Sequence, residues 1–508
     1  MQNTMSRERT ILVTFGIMMG LFLASIEGTV VGTAMPTIIA QLQGIELYGW
    51  VFSMYMLTST STMPVFGKLS DMYGRRPIYM IAVAMFLLGS MLCGTAQSMT
   101  QLIAFRALQG LGAGGLLPLA FTLIGDLFTM EQRAKMQGLF SGVWGVSGLL
   151  GPLAGGWLVD NVSWRAVFYV NVPFALLTAA IIWFGLQEAP VQSARRRAID
   201  YLGVILLMSG IMSLLLALLE GPDQGWSAPL VLALFSASLL LLGTFVWHEM
   251  RTPEPIISPA LFQRRLFSIA SLHGFLTGMA MFGSISFIPL FGQGVLALDA
   301  TAAGAMLIPT NIGWVASSTI GGRLLLKFGY RKIVIACMSI MVLGSFLMSR
   351  IHGGTTEWQV WVFGVLMGIG MGGSVTAFLI SVQSSVTRQQ LGAATSTIQF
   401  MRNVGGTIGV SIFGTVMVSN LIEGLARQGG SVNIDPRALL DPTSSIPPAV
   451  LASMRGVLAD AIGAVFTLAF VAVAAAFVIV LLSPRGLTRD STVPSEAKPE
   501  VLAEVQAR

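Results

Sequence analysis

A single carboxylate, Glu27, interrupts the otherwise uncharged stretch from Thr10 to Gln41. A carboxylate that deep in an apolar segment is costly to bury, and its default use in a membrane protein is to carry an ion or meet a ligand. Two arginines are also embedded in apolar runs: Arg106, and Arg402 with Gln399 and Asn403 close by on the same helix. One acid that can exchange a proton and two fixed cations that must be paired or water-exposed point to ion coupling and binding. Bond-breaking chemistry finds no support. His248, His273 and His352 are isolated, without the His-Glu-x-x-His spacing of a zinc site, and read as interfacial or packing histidines. Cys93 and Cys337 both fall in apolar runs, where small core residues are expected. No catalytic residue and no metal site are expected.

The elements that must position these groups follow from composition. Of 508 residues 54% are hydrophobic and 10% charged, with mean hydropathy +0.77. A soluble domain of this length could not carry that much apolar surface, so an all-α integral membrane protein is expected. At about 20 apolar residues per crossing, fourteen spans can be placed: 11–35, 48–66, 78–96, 101–125, 136–158, 166–186, 201–219, 229–248, 268–292, 301–325, 331–349, 358–385, 393–420 and 456–482. The first run is long enough to be kept as a span and lacks a small-residue cleavage site. With an even number of spans both termini share one side. Lys and Arg number 22 on that side and 5 on the other, which makes the termini cytoplasmic. The net charge of +6 is scattered over short loops rather than clustered, so no nucleic-acid partner is expected. The polar tail 483–508 reads as disordered.

The chain also repeats itself. Gly110, Gly112 and Gly115 return as Gly368, Gly370 and Gly373, and Gly148 and Gly151 as Gly406 and Gly409, all at one offset of 258. Gly67-Lys-Leu-Ser-Asp-Met-Tyr-Gly74 is echoed by Gly322-Arg-Leu-Leu-Leu-Lys-Phe-Gly329 at an offset of 255. Two pseudo-symmetric six-helix bundles are expected, 1–187 and 268–482, with a linker and two inserted helices over 188–267.

The loop Gly67, Lys68, Asp71, Gly74, Arg75, Arg76, Pro77 is a Gly-bounded turn carrying one acid and three bases at a helix end. With the two halves it resembles the signature loop of the major facilitator superfamily. The loop is suited to latch neighbouring helices in one state and release them in another, with Asp126 as a partner for Arg75; in the second half Leu326 and Tyr330 replace Asp71 and Arg75. Arg106-Ala-Leu-Gln109-Gly110 is similar to the superfamily motif whose arginine is linked to proton coupling. Gly148, Gly151, Pro152, Gly155 and Gly156 are similar to the glycine-proline signature of its antiporter branch, where small residues let a helix bend and approach its neighbours; Ser147 stands where that pattern often has Gly. The stretch from Glu27 to Pro36, the stretch from Trp164 through Asn171 to Pro173, and the inserted pair narrow the match. The chain resembles the fourteen-spanner drug:proton antiporter family, departing from it in having Glu27 where Asp is usual.

The resemblance implies a proton-coupled exporter of hydrophobic or cationic drugs in the plasma membrane of a bacterium, a monomer working by alternating access. Glu27 would exchange protons for substrate and Arg106 would tune that exchange. The sequence lacks the phosphate loop Gly-x-x-x-x-Gly-Lys-[Ser/Thr], so transport is expected to be secondary and driven by an ion gradient; the resemblance implies that the ion is the proton, and no cofactor is expected. Met18, Phe22, Met54, Tyr55, Gln109, Met279, Phe282, Asn311, Trp314, Gln399 and Arg402 are candidates for the substrate cavity. Export of lipids or lipid-like metabolites on the same scaffold is the alternative, with the segment 421–453 as its possible device. A membrane enzyme is the remote one.

Overall fold

The computed structural model describes residues 6–44, 47–188, 199–427 and 448–484, and in them the regular structure is helical throughout. The first half holds α1 (Arg7–Leu42), α2 (Tyr48–Tyr73), α3 (Arg75–Thr95), α4 (Met99–Leu127), α5 (Met130–Asn161), α6 (Ala166–Tyr169) and α7 (Asn171–Gly185). Then come α8 (Tyr201–Gln224), α9 (Pro229–Glu249) and the short α10 (Pro259–Gln263). The second half holds α11 (Arg265–Gly294), α12 (Ala300–Ala305), α13 (Ile308–Phe328), α14 (Tyr330–Met348), α15 (Glu357–Ser385), α16 (Leu391–Arg427) and α17 (Pro448–Leu481). The segments expected to span begin and end inside these helices or within a few residues of them. The expected spans 166–186 and 301–325 are each interrupted, at Val170 and at Met306–Leu307 ahead of Pro309.

Starts are set by local chemistry. Ser6, Ser98 and Asp200 accept from backbone N–H groups three residues on, and Thr129 with Gln132 closes a reciprocal cap on α5. Between α2 and α3, and again between α13 and α14, the chain turns through a glycine at positive φ: Gly74 at 98° and Gly329 at 76°. These are the two ends of the 255-residue repeat, and only glycine adopts that backbone freely.

The glycine repeat has a packing reason. A Cβ at Gly110 would strike Thr58 and the Tyr55 carbonyl of α2; one at Gly368 would strike the Thr310 carbonyl of α13. Gly112 lies against Ala82 and Phe86 of α3, and Gly370 against Cys337 and Met341 of α14. Each half therefore seats its fourth expected span into its second and third by the same close approach. Cys337 and Cys93 are indeed small packing groups, both free thiols.

Twelve helices among the described residues are long and apolar enough to cross a membrane, making this a multi-pass membrane protein. Two of the expected fourteen spans, α2 and α13, are long helices that fall outside the twelve. In α2 the run Thr58-Ser-Thr-Ser-Thr62 lowers the hydropathy, but all five residues are buried. The side chains of Thr58, Ser59, Ser61 and Thr62 return their hydroxyls to carbonyls of their own helix, so the polarity is satisfied internally.

The halves meet along two seams, α2 against α16 and α5 against α13. The inserted α8 lies across the first seam, its Leu206, Leu207, Ile211, Leu215 and Leu218 sharing an apolar cluster with Leu57 and Met63 of α2 and Phe400 and Val404 of α16. The tail beyond Pro484 and residues 428–447 of the expected outer segment lie outside the described residues.

Candidate functional site

Glu27 and Arg106 form an ion pair inside the first half. By chain length from the Asp71 loop end, each sits about 30 Å along its helix, at about 1.5 Å per residue. They meet because α1 packs on α4 there. Arg106 donates from Nη1 to Glu27 Oε1 at 2.5 Å and to Gln109 Oε1 at 2.8 Å, and from Nε to the Val51 carbonyl at 3.2 Å. Tyr55 lays its ring 4.2 Å from the guanidinium carbon, a cation–π contact. Asn171, the first residue of α7, donates to Glu27 Oε2 at 2.6 Å and to Ser90 Oγ at 3.0 Å. Glu27 is 1% exposed and Arg106 0%, so the acid is held by a cation on one oxygen and an amide on the other with almost no water.

Asn171 is a missed member of this set. Its signal was visible: an amide inside the apolar stretch 166–186, within the same motif that carries Trp164 and Pro173. Ser90 in turn donates to the Phe168 carbonyl at 2.9 Å, tying the amide to the short α6. Gln109 keeps Nε2 without a partner among the described residues.

The glycine signature of α5 lies directly behind Glu27. A Cβ at Gly151 would meet Thr29, and one at Gly155 would meet Thr33; Ser25 and Ser147 hydroxyls are 2.5 Å apart. Gly148 and Gly156 face open space, and α5 runs through Pro152 as one helix. Two of the four glycines thus serve close approach to the helix carrying the acid.

The Asp71 loop is a network between halves. Arg75 donates to Asp71, to Ser70 Oγ at 2.8 Å, to Asp126 Oδ2 at 2.9 Å and to the Arg388 carbonyl at 2.9 Å. Asp71 accepts from the backbone N–H of Gly392 at 2.9 Å and Ala393 at 2.7 Å. A carboxylate there caps the first turn of α16, where the helix dipole favours negative charge. Arg388 reaches Asp126 at 3.2 Å, Gln383 the Phe121 carbonyl at 3.1 Å and Arg133 the Ser384 hydroxyl at 3.4 Å. Gly67 is required by the close approach of Gly392 and Ser396. The two halves are therefore clamped at this end. Arg76 turns away to lie 4.4 Å from the Trp183 ring. Glu188, not foreseen, accepts from the Arg75 N–H at 2.5 Å, and burial pushes its carboxyl above the ordinary range against the pull of the Arg75 and Arg76 backbone donors. In the second half Tyr330 spends its hydroxyl on the Pro484 carbonyl at 2.7 Å, a contact within its own half.

The candidates for the cavity do not converge on one place. Tyr55 and Gln109 belong to the Glu27 pair. Phe282 lines a cavity of about 530 Å³ between α2, α8, α11 and α16, together with Asn403 and Gly406. Met54 packs beside it in the α8 cluster. Met18 packs on the core of the first half, Phe22 stacks edge-on with Phe174 at 6.0 Å, Met279 and Trp314 pack on the second-half core, and Asn311 is exposed. Gln399 is buried; Arg402 is half-buried and has no hydrogen bond or ion pair among the described residues. His273 sits 3.2 Å from Ser374 and 4.8 Å from the Phe378 ring, a packing histidine.

A family model, Major Facilitator Superfamily, matches residues 17–410. The chain belongs to this superfamily. It is accordingly a membrane transporter and not an enzyme. Among its relatives, Multidrug transporter protein MdtP of Bacillus subtilis (strain 168) is 35% identical over 98% of this chain and 98% of its own. Multidrug resistance protein 3 of the same organism is 36% identical over 94% and 96%. In fold this superfamily member is similar to the human organic anion transporter MFSD10 (TETRAN), with a TM-score of 0.61 at 14% identity, covering 91% of this chain and 99% of that one.

Proposed function

We propose that this chain is a proton-driven exporter of hydrophobic drugs, working by alternating access between its two halves. The observation that carries the reading is the Glu27–Arg106 pair, a proton-exchangeable group 1% exposed in an apolar helix and held by Arg106 on one oxygen and Asn171 on the other. The relatives named for multidrug transport and resistance, aligned over nearly their whole length, support the substrate class. Glu27 is already committed to Arg106 in this conformation, so it offers no free carboxylate to a cationic drug.

With the halves clamped at the Asp71 loop, the opposite end is the side from which a proton arrives. Protonation neutralises Glu27, weakening its bonds to Arg106 and Asn171, and α1, α4 and α7 are free to shift against one another. The loop network then opens, the proton leaves to the other side, and substrate enters. The chain's topology in this reading is fourteen spans, with α2 and α13 completing the twelve, both termini cytoplasmic, in the plasma membrane of a bacterium, as a monomer. Its units are 1–187, the inserted 188–267 and 268–482.

The test is pH-gradient-driven efflux of a neutral hydrophobic drug from liposomes holding the purified protein. Efflux that follows the gradient and vanishes in Glu27→Gln supports the reading; efflux indifferent to the gradient overturns the proton coupling.

A further inference from the structure

Arg402 lies about a third of the way along α16, about 16 Å from its clamped end at about 1.5 Å per residue. Its stem fits a gap on α11 left by two glycines one turn apart: a Cβ built at Gly278 would come within 3.0 Å of Arg402 Cγ, and one at Gly274 within 3.9 Å of its Cβ. Yet the guanidinium, with five donors and a permanent charge, has no hydrogen bond or ion pair among the described residues. A half-buried unpaired charge at membrane depth lowers stability, so its presence calls for a use.

Among the described residues, no carboxylate pairs with it. Glu27 is taken by Arg106, Asp71 and Asp126 by Arg75, and Glu249 by the backbone N–H groups of Ile256 and Ile257. One helical turn farther from the clamped end lie Gly406 of α16 and Phe282 of α11, which line the 530 Å³ cavity. The cavity is walled mainly by apolar groups such as Leu57, Leu215 and Leu218, and its size falls in the range of about 300–1,000 Å³ that holds drug-sized ligands. It spans both halves and the inserted α8.

We propose that this cavity and Arg402 together bind an amphiphile, the cavity taking its hydrocarbon or ring body and Arg402 its single anionic group, a carboxylate, sulfonate or phosphate. The proposal rests on the export reading for its purpose, since it names which hydrophobic compounds the chain selects. The α8 wall is then a specificity element supplied by the inserted pair, and Arg402 accepts the stability cost of a charge that only ligand neutralises.

The probes are dansylaminoundecanoate and its uncharged methyl amide, titrated by dansyl fluorescence against the purified full-length protein in nanodiscs. Wild type should bind the carboxylate about tenfold more tightly than the amide, the size expected for a hydrogen bond to a charged group. Arg402→Gln should remove that preference, Arg402→Lys should keep part of it, and Leu218→Trp should weaken both probes by filling the cavity. Thermal unfolding of Arg402→Gln without ligand should be no lower than wild type, because an unpaired charge has gone. Dansyl-labelled phosphatidylglycerol binding with the same Arg402 dependence, and more tightly than the undecanoate, would support the site and make a lipid headgroup its source. A carboxylate preference absent in wild type or intact in Arg402→Gln would overturn the proposal, as would a lowered unfolding temperature, which would mark Arg402 as structural. Failure of neutral-drug efflux would instead count against the export reading alone.

Discussion

Arg106 and Glu27, 79 positions apart in sequence, share a hydrogen-bonded ion pair whose two side chains are each 1% exposed. Removing one partner of a buried pair leaves the other charged and unpaired, at a cost of about 3–5 kcal/mol. Arg106→Ala should therefore both loosen the fold by that order and weaken proton coupling, whereas Arg106→Ala combined with Glu27→Gln should regain most of the stability and none of the coupling. Thermal melts of the single and double variants, set beside efflux, separate the two effects. Additive losses would show that the residues do not act as a pair.

Asn171 holds the second oxygen of Glu27. Replacing it with Leu removes a hydrogen bond to a charged group, about 1.5–3 kcal/mol, and should shift the pH at which efflux is half-maximal while leaving the protein folded. An unchanged pH profile would reduce Asn171 to a link between Ser90 and α7.

Asp71 serves the conformation in which the halves are clamped. Asp71→Asn keeps one acceptor for the α16 N–H groups and loses the charge facing Arg75, so transport should fall several-fold with equilibrium drug binding largely retained. Transport unchanged at equal expression would make the loop a topological anchor.

Glu188 gives the loop a pH dependence with a definite sign. Its folded carboxyl titrates above the ordinary value of 4.5, so the folded state holds a proton that the unfolded state has already lost. Stability from this group is present below about pH 4.5 and is lost as pH rises through the raised value. Glu188→Gln should flatten that part of the melting-temperature curve; a curve unchanged in the variant would place the titration elsewhere.

Much of this was legible in the residues. The depth of Glu27, Arg106 and Arg402, the loop from Gly67 to Pro77 and the glycine repeat each carry a local cost or a fixed spacing that shows in one dimension. The Arg75–Asp126 bond was expected and is present at 2.9 Å. What stayed hidden depends on packing across helices. Asn171 looks like any polar residue at a helix start until α7 is laid against α1 and α3. Glu188 lies in linker sequence with no pattern. The cavity candidates were chosen by residue type, and Met or Phe in a membrane helix is as often core as lining, which is why Phe22 meets Phe174 and Phe282 meets the cavity. The segment 48–66, expected as the second span, lies within the helix α2, and four of the five hydroxyl side chains from Thr58 to Thr62 bond back to their own turns.

Topology can be checked by single cysteines at Ser193 and Ser431, both outside the described residues, in a background lacking Cys93 and Cys337. The 22 to 5 distribution of Lys and Arg predicts labelling of Ser431→Cys by an impermeant reagent in intact cells and of Ser193→Cys only after lysis. Labelling of both from outside would contradict fourteen spans.

The most direct measurement is uphill efflux of a neutral hydrophobic drug from liposomes under an imposed pH gradient, comparing wild type with Glu27→Gln and Glu27→Asp. Glu27 as the proton site predicts gradient-driven efflux in wild type, partial efflux in Glu27→Asp and none in Glu27→Gln, with drug binding still measurable in all three. Uphill efflux by folded Glu27→Gln would contradict it.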